Sequence, residues 1–294
     1  MATQQRASYI CVPVTGTLRF ILPLAGLLTL LLGWVAITDM QVVNSNFLPS
    51  PGATGSAILG MTVDAPPLVS DGGGLLRPRI KTGLQGTWET VRYSSGVQGT
   101  VASVKRIFLA VMWACIIGIP IGILLGAFGW LESFFQLIIL PMRNAPITAF
   151  VPLFLLIYGI AESLKVNFLV FGTVVYIIPM VFDAVRNVRQ EIIDKAVDQG
   201  FKPLSALWFY VLPSSLPRIY DAVRVCTGIA WTYLVLAETM NVTDGLGSVI
   251  ANAGRVQNTP RVWAGILVII ILGNLTDSLF KLGQRHPMLK PEEV

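Results

Sequence analysis

Residues 191–218 read EIIDKAVDQGFKPLSALWFYVLPSSLPR, a charged amphipathic insert in a chain that is otherwise strongly apolar. In its first half Ile193, Ala196, Val197 and Gly200 share one helical face, and Glu191, Asp194, Lys195 and Asp198 share the other. That is the pattern of a docking helix. Pro203 suits the first position of a second helix, where a missing N–H is no loss. Leu204, Leu207, Trp208, Val211 and Leu212 then recur at helical spacing, and Pro213 is expected to end that helix. Two short helices meeting at a sharp angle are the expected result.

Around this insert the composition is that of a membrane protein. Of 294 residues 54% are hydrophobic and 13% charged, against about 25% charged in a soluble domain, and the mean hydropathy is +0.69. The clearest spans are Phe20–Ile37, Ile107–Phe128 and Val262–Phe280, each close to the ~20 residues that cross a bilayer. Three further spans are less regular. Phe134–Ile160 is long but interrupted by Pro141, Arg143 and Pro146; Val166–Val181 is short; Ile219–Leu236 contains Asp221 and Arg224. Six crossings put both termini and the insert on the same side.

Loop cations orient the chain, because Lys and Arg near span ends are retained in the cytoplasm. With the insert inside, that side holds Arg186, Arg189, Lys195, Lys202, Lys281 and Arg285 among others, whereas the short outer loops hold Lys165, Arg255 and Arg261. The net charge of +5 follows from this bias. No basic stripe interleaved with aromatics is present, so nucleic acid is not an expected partner. Cys11, Cys115 and Cys226 are too widely spaced for a metal site or a disulfide framework. Between Thr38 and Gly86 the runs NFLPSPGATGS and SDGGGLLRPR read as an outer loop, after which a partly amphipathic stretch leads into the second span.

The spacing of the insert resembles the cytoplasmic coupling motif of ATP-binding-cassette importer permeases: E-A-A, three residues, Gly, nine residues, then I-x-L-P. Asp194, Lys195 and Ala196 fall on the triplet, Gly200 on the glycine, and Tyr210, Leu212 and Pro213 on I-x-L-P. Lys195 and Tyr210 depart from the motif. The segments ILPMRNAPITAFVPL (139–153) and LAETMNVTDGLG (236–247) stand where the nitrate, sulfonate, taurine and bicarbonate permeases carry similar ones.

The resemblance implies an all-α membrane protein of about six transmembrane helices, with a type I importer core over 101–285 and cytoplasmic coupling helices in 191–218. A tail (1–19), a first transmembrane helix (20–37) and an outer loop with its lead-in (38–100) precede the core, and a second tail (286–294) follows it. Two cytoplasmic ATPase subunits would dock on Asp194, Lys195, Ala196, Gly200, Phe201, Leu212 and Pro213. A second permease subunit, in a homodimer, would complete the pathway, and an extracytoplasmic solute-binding protein would deliver a small anion. Nitrate or bicarbonate stands ahead of taurine or other sulfonates. The implied location is the inner membrane, multi-pass, with both termini cytoplasmic.

Several residues are candidates for the pathway or its gate. Pro141, Pro146 and Pro152 remove backbone donors from the third span, so the freed carbonyls must meet neighbouring protein or a water-filled cavity. Ionisable residues in spans normally face protein or water, and here they are Asp183, Arg224, Glu238 and Asp277. Asp277 lies one turn from Lys281 and is expected to pair with it locally. Arg143 and Arg224 are candidate anion contacts; Tyr176, Trp231 and Tyr233 are candidate wall residues. In the second span Ala114, Gly118, Gly122 and Gly126 form a small-residue seam, for packing within the chain or against a second copy.

No phosphate-cradling G-x-x-x-x-G-K-[ST] loop is present, so ATP and Mg are expected in the partner ATPase and no cofactor in this chain. The sole histidine, His286, lies past the last span. A stand-alone secondary transporter or channel is the main rival, and a membrane enzyme acting on lipid through Asp183, Glu238 or Asp277 the other. The first has no cytoplasmic motor for a docking insert to grip. No internal repeat marks a secondary transporter.

Overall fold

The computed structural model describes residues 18–44, 47–62, 68–70, 76–78, 95–133, 135, 144–240 and 244–285. Arg143, Pro141 and His286, together with the tails at 1–17 and 286–294, lie outside the described residues. In chain order the elements are α1 (Leu18–Asp39), α2 (Pro51–Thr62), β1 (Leu68–Ser70), β2 (Leu76–Pro78) and α3 (Ser95–Ala127). A 3-10 turn (Ile147–Phe150) then leads into α4 (Val151–Tyr158), followed by α5 (Glu162–Arg186), α6 (Gln190–Asp198) and α7 (Pro203–Ala206). A π-turn (Leu207–Val211) joins α7 to α8 (Leu212–Met240), and α9 (Leu246–Arg255) and α10 (Thr259–Gly283) complete the fold.

Among the described residues, four helical stretches are long and apolar enough to cross a membrane: Gly96–Ala127, Glu162–Arg186, Pro203–Met240 and Thr259–Gly283. Apolar helices at Leu24–Asp39 and Ile147–Tyr158 are shorter. On α1 the apolar residues are exposed along its length, from Ile21 and Leu24 to Leu32, as suits a helix surrounded by hydrocarbon. Its anchor is aromatic: Trp34 and Trp263 lie 5.8 Å apart, and their indole N–H groups donate to the carbonyls of Pro49 and Phe47.

The centre of the bundle is the α3–α5 pair. A Cβ at Gly118 would fall 2.7 Å from Ile177, one at Gly122 the same distance from Val181, and one at Gly126 2.9 Å from Val185. The small-residue seam therefore packs inside the chain, against residues that recur every fourth position of α5. Close approach gains dispersion contacts that a larger residue would prevent. Phe168, Leu169, Ala230, Leu234 and Ala237 continue the core between α5 and α8.

Several expectations need correction. The outer loop contains a helix: α2 packs on α10 and α3, burying Thr54 and Met61. The helices α5 and α8 run beyond the expected spans, and Lys165, expected in an outer loop, is fully buried inside α5. Pro213 does not stop the second arm of the insert, because the Leu212 N–H bonds back to the Leu207 carbonyl and the widened turn takes up the proline. One continuous helix, Pro203–Met240, results. Within the described part of the third span, the interruption expected at Pro146 falls at mid-bundle. Ile147 packs among Phe168, Ala230 and Leu234, within reach of Gly172 in the middle of α5, so Pro146 caps a half-helix that begins at mid-bundle.

Candidate functional site

Positive φ shapes the insert. Gly200 has φ +76°, its N–H bonds to the Val197 carbonyl at 2.8 Å, and the Phe201 N–H bonds to the Ala196 carbonyl at 3.0 Å. This Schellman pair closes α6 and turns the chain into Pro203. Nothing of this chain lies within 4 Å of the place a Gly200 Cβ would take, so within the chain the glycine serves the turn. Beyond the turn Phe201 meets Tyr210 edge to face at 5.2 Å, and the Tyr210 hydroxyl donates to the Gln199 side chain.

The outer surface of the insert is apolar. Val197 is 63% exposed, Leu204 60%, Trp208 61% and Phe209 69%. Asp194, Lys195, Phe201 and Pro213 are exposed beside them and Leu212 is half-buried, whereas Ala196 is wholly buried in the chain's own packing and is not available to a partner. The sequence pattern had set Leu204 and Trp208 on the same face as Leu207 and Val211. The π-turn rotates the arm, so that Leu207 and Val211 face the body while Trp208 and Phe209 face out.

At the opposite end of the bundle five charged residues interlock. Glu238 is fully buried and accepts from Ser103 Oγ, Arg106 Nη1 and the Gly247 N–H, each at 2.7 Å. Arg106, 2% exposed, also binds Glu162 through Nε and through Nη2 at 2.9 Å, and Asp244 Oδ1 at 2.5 Å. Lys165 sits 3.3 Å from Asp244 and 3.5 Å from Glu162. The network ties α3, α5, α8 and the turn before α9 together. It borders a cavity of about 780 Å³ lined by Gln98, Val101, Lys105, Glu162 and Asp244. Glu238 was named from the sequence as an ionisable residue in a span, but its partners were missed. Their signals were Arg106 abutting the apolar run from Ile107, Ser103 one turn earlier, and an i,i+3 Glu162–Lys165 pair opening α5.

Between the two ends the Tyr176 and Tyr233 hydroxyls are 3.3 Å apart and join α5 to α8. Trp231, expected beside them as a wall residue, is 6% exposed in the core and borders a cavity of about 210 Å³ between α8 and α10. Arg224 does not present an unmatched charge: Nε is 2.5 Å from Asp277 and Nη1 3.5 Å from Asp221. Asp277 also meets Lys281 at 2.8 Å, the expected local pair. This network clamps α8 to α10 near the insert end.

Comparison with known proteins follows the same outline. A family model described as the binding-protein-dependent transport system inner membrane component matches residues 118–286. The taurine transport system permease protein TauC of Escherichia coli strain K12 is 30% identical over 265 residues, which cover 90% of this chain and 88% of that protein. SsuC of Bacillus subtilis strain 168, a protein named for aliphatic sulfonate transport, is 32% identical over 183 residues, covering 62% of this chain and 66% of that one. Among solved structures, an inward-facing MetNI methionine ABC transporter chain superposes with a TM-score of 0.58 at 20% identity, covering 64% of this chain and 94% of its own. The helical architecture is shared with that structure.

Proposed function

The chain belongs to the family of binding-protein-dependent transport system inner membrane components, the permease parts of ABC importers, and from that premise we propose that it forms the translocation pathway for a small sulfonate-type anion. In this reading the insert end faces the cytoplasm, with both termini on that side. Two ATPase subunits grip the inserts of two permease copies, and a solute-binding protein delivers substrate to the opposite face. ATP and Mg are held by the ATPase. Nucleotide-driven closure moves the inserts as levers and switches the pathway between its two openings.

The observation that carries this reading is the exposed patch of Val197, Phe201, Leu204, Trp208 and Phe209 at one end of the bundle. An apolar, aromatic surface on a charged insert fits a protein partner, because aromatics dominate the buried centres of interfaces. A secondary transporter has no motor to grip there.

The order of substrates expected from the sequence is reversed in this proposal. The relative aligned over most of this chain is named for taurine and the second for aliphatic sulfonates, so sulfonates come before nitrate and bicarbonate. Among the described residues, two span arginines are already matched: Arg224 by Asp277, and Arg106 by three carboxylates. Selectivity then resides mainly in the binding protein.

Co-expression with a cognate ABC ATPase subunit, followed by reconstitution in vesicles, tests the reading. We expect a stable complex whose ATP hydrolysis rises with the loaded binding protein and whose taurine uptake requires ATP. Uptake by the isolated permease, driven by an ion gradient alone, would sink it.

A further inference from the structure

Beneath the insert lies a third cavity, of about 400 Å³, whose rim shares Val197 and Phe201 with the docking patch. Its floor is Gly126, Ala127 and Phe128 at the end of α3 with Val185 at the end of α5, and its roof is Ile193, Val197, Phe201, Ala206, Leu207 and Val211 of the insert. Among the described lining residues only Arg186 is charged, and Lys202 stands between the lining residues Phe201 and Pro203. The volume lies within the about 300–1,000 Å³ usual for small-molecule sites.

Its depth says what reaches it. Arg106 and Gly126 lie about 30 Å apart along α3 at ~1.5 Å per residue, the thickness of a bilayer's hydrocarbon core. Since Arg106 marks one polar boundary, the cavity opens at the other. Trp130, 72% exposed just past Phe128, is an interfacial residue type at that level. Chain tails end and headgroups begin at this depth. Arg186 is 55% exposed and meets Glu132 only at 3.5 Å, so its guanidinium can reach an anion, and Lys202 is exposed alongside.

We propose that this cavity is a binding site for an anionic phospholipid, with an acyl chain between the insert and the ends of α3 and α5 and the headgroup phosphate on Arg186 and Lys202. A basic rim over an apolar slot at a membrane boundary recognises both halves of such a lipid. Inorganic phosphate has only the first half. Filling the slot also stiffens the insert against the bundle, so that force on the insert reaches the helices.

The purified full-length permease, offered phosphatidylglycerol or phosphatidylcholine in mixed micelles and weighed by native mass spectrometry, tests the site. We expect one retained phosphatidylglycerol per chain, held up to about thirtyfold better than phosphatidylcholine and not displaced by inorganic phosphate. Arg186→Gln should keep a lipid but lose most of the headgroup preference. Ala206→Phe, which fills the slot, should lose the lipid, and Val197→Trp at its exposed mouth should do the same without disturbing the core. Equal retention of both lipids by the natural chain, or unchanged phosphatidylglycerol in both filled variants, would overturn the proposal. So would displacement of the lipid by phosphate alone, or by the docked ATPase.

Discussion

Arg106 Nη1 and Glu238 Oε1 meet at 2.7 Å in a site where the two side chains are 3% and 0% exposed, joining α3 to α8 across 132 positions of sequence. A buried pair of this kind is costly to break from one side only, since the remaining charge keeps its desolvation penalty and loses its partner. Ser103, Gly247, Glu162 and Asp244 complete the hydrogen bonding of the pair.

Replacing one member should therefore be worse than replacing both. Arg106→Gln and Glu238→Gln are each expected to destabilise the permease by about 3–5 kcal/mol, and the double variant by clearly less than their sum. Thermal unfolding in detergent of all four forms is the measurement. Additive losses would show that the two side chains do not act as a pair.

At Gly200 the cost is conformational. With φ +76°, Gly200→Ala should lose about 1 kcal/mol and Gly200→Leu more, while Gly200→Asn, which tolerates the left-handed region, keeps most of the coupling. ATP hydrolysis stimulated by the loaded binding protein reports this order. If Asn and Leu were equally damaging, the turn would not be the reason for the glycine.

Trp208 and Phe209 give the opposite signature. Because both are largely exposed, Trp208→Ala and Phe209→Ala should change stability by only about 0.5 kcal/mol yet weaken ATPase retention by about tenfold or more. Affinity capture with a tagged ATPase, beside a melting curve of each variant, separates the effects. Full retention by both variants would move the docking surface elsewhere.

Gly118 tests the α3–α5 seam. Gly118→Ala drives a Cβ against Ile177 and should cost about 1–3 kcal/mol. Combining it with Ile177→Ala should recover part of that loss, because the obstructing atoms are removed. A double variant no better than the sum of its parts would mean that the strain lies in the backbone.

Topology has its own test in single cysteines at Asp194 and Arg255, both exposed and at opposite ends of the bundle. A membrane-impermeant thiol reagent added to intact cells should label the second and not the first. Reversal would turn the importer reading upside down.

By itself the sequence determined what local chemistry controls. Apolar runs of bilayer length, the amphipathic period of residues 191–200, the glycine at 200 and the spacing of Ala114, Gly118, Gly122 and Gly126 are all patterns that neighbouring residues settle among themselves. The tertiary structure decided whatever depends on residues far apart in the chain. That Arg106, Lys165, Glu162, Glu238 and Asp244 form one network could not be read from any of them alone, since three helices and a turn must first converge. Nor could the outward position of Trp208 and Phe209, which lie inside a π-turn (Leu207–Val211) whose repeat departs from the 3.6-residue helical period. Periodicity reports a face only while the helical repeat is uniform, and burial of a charge depends on which partners the fold brings within reach.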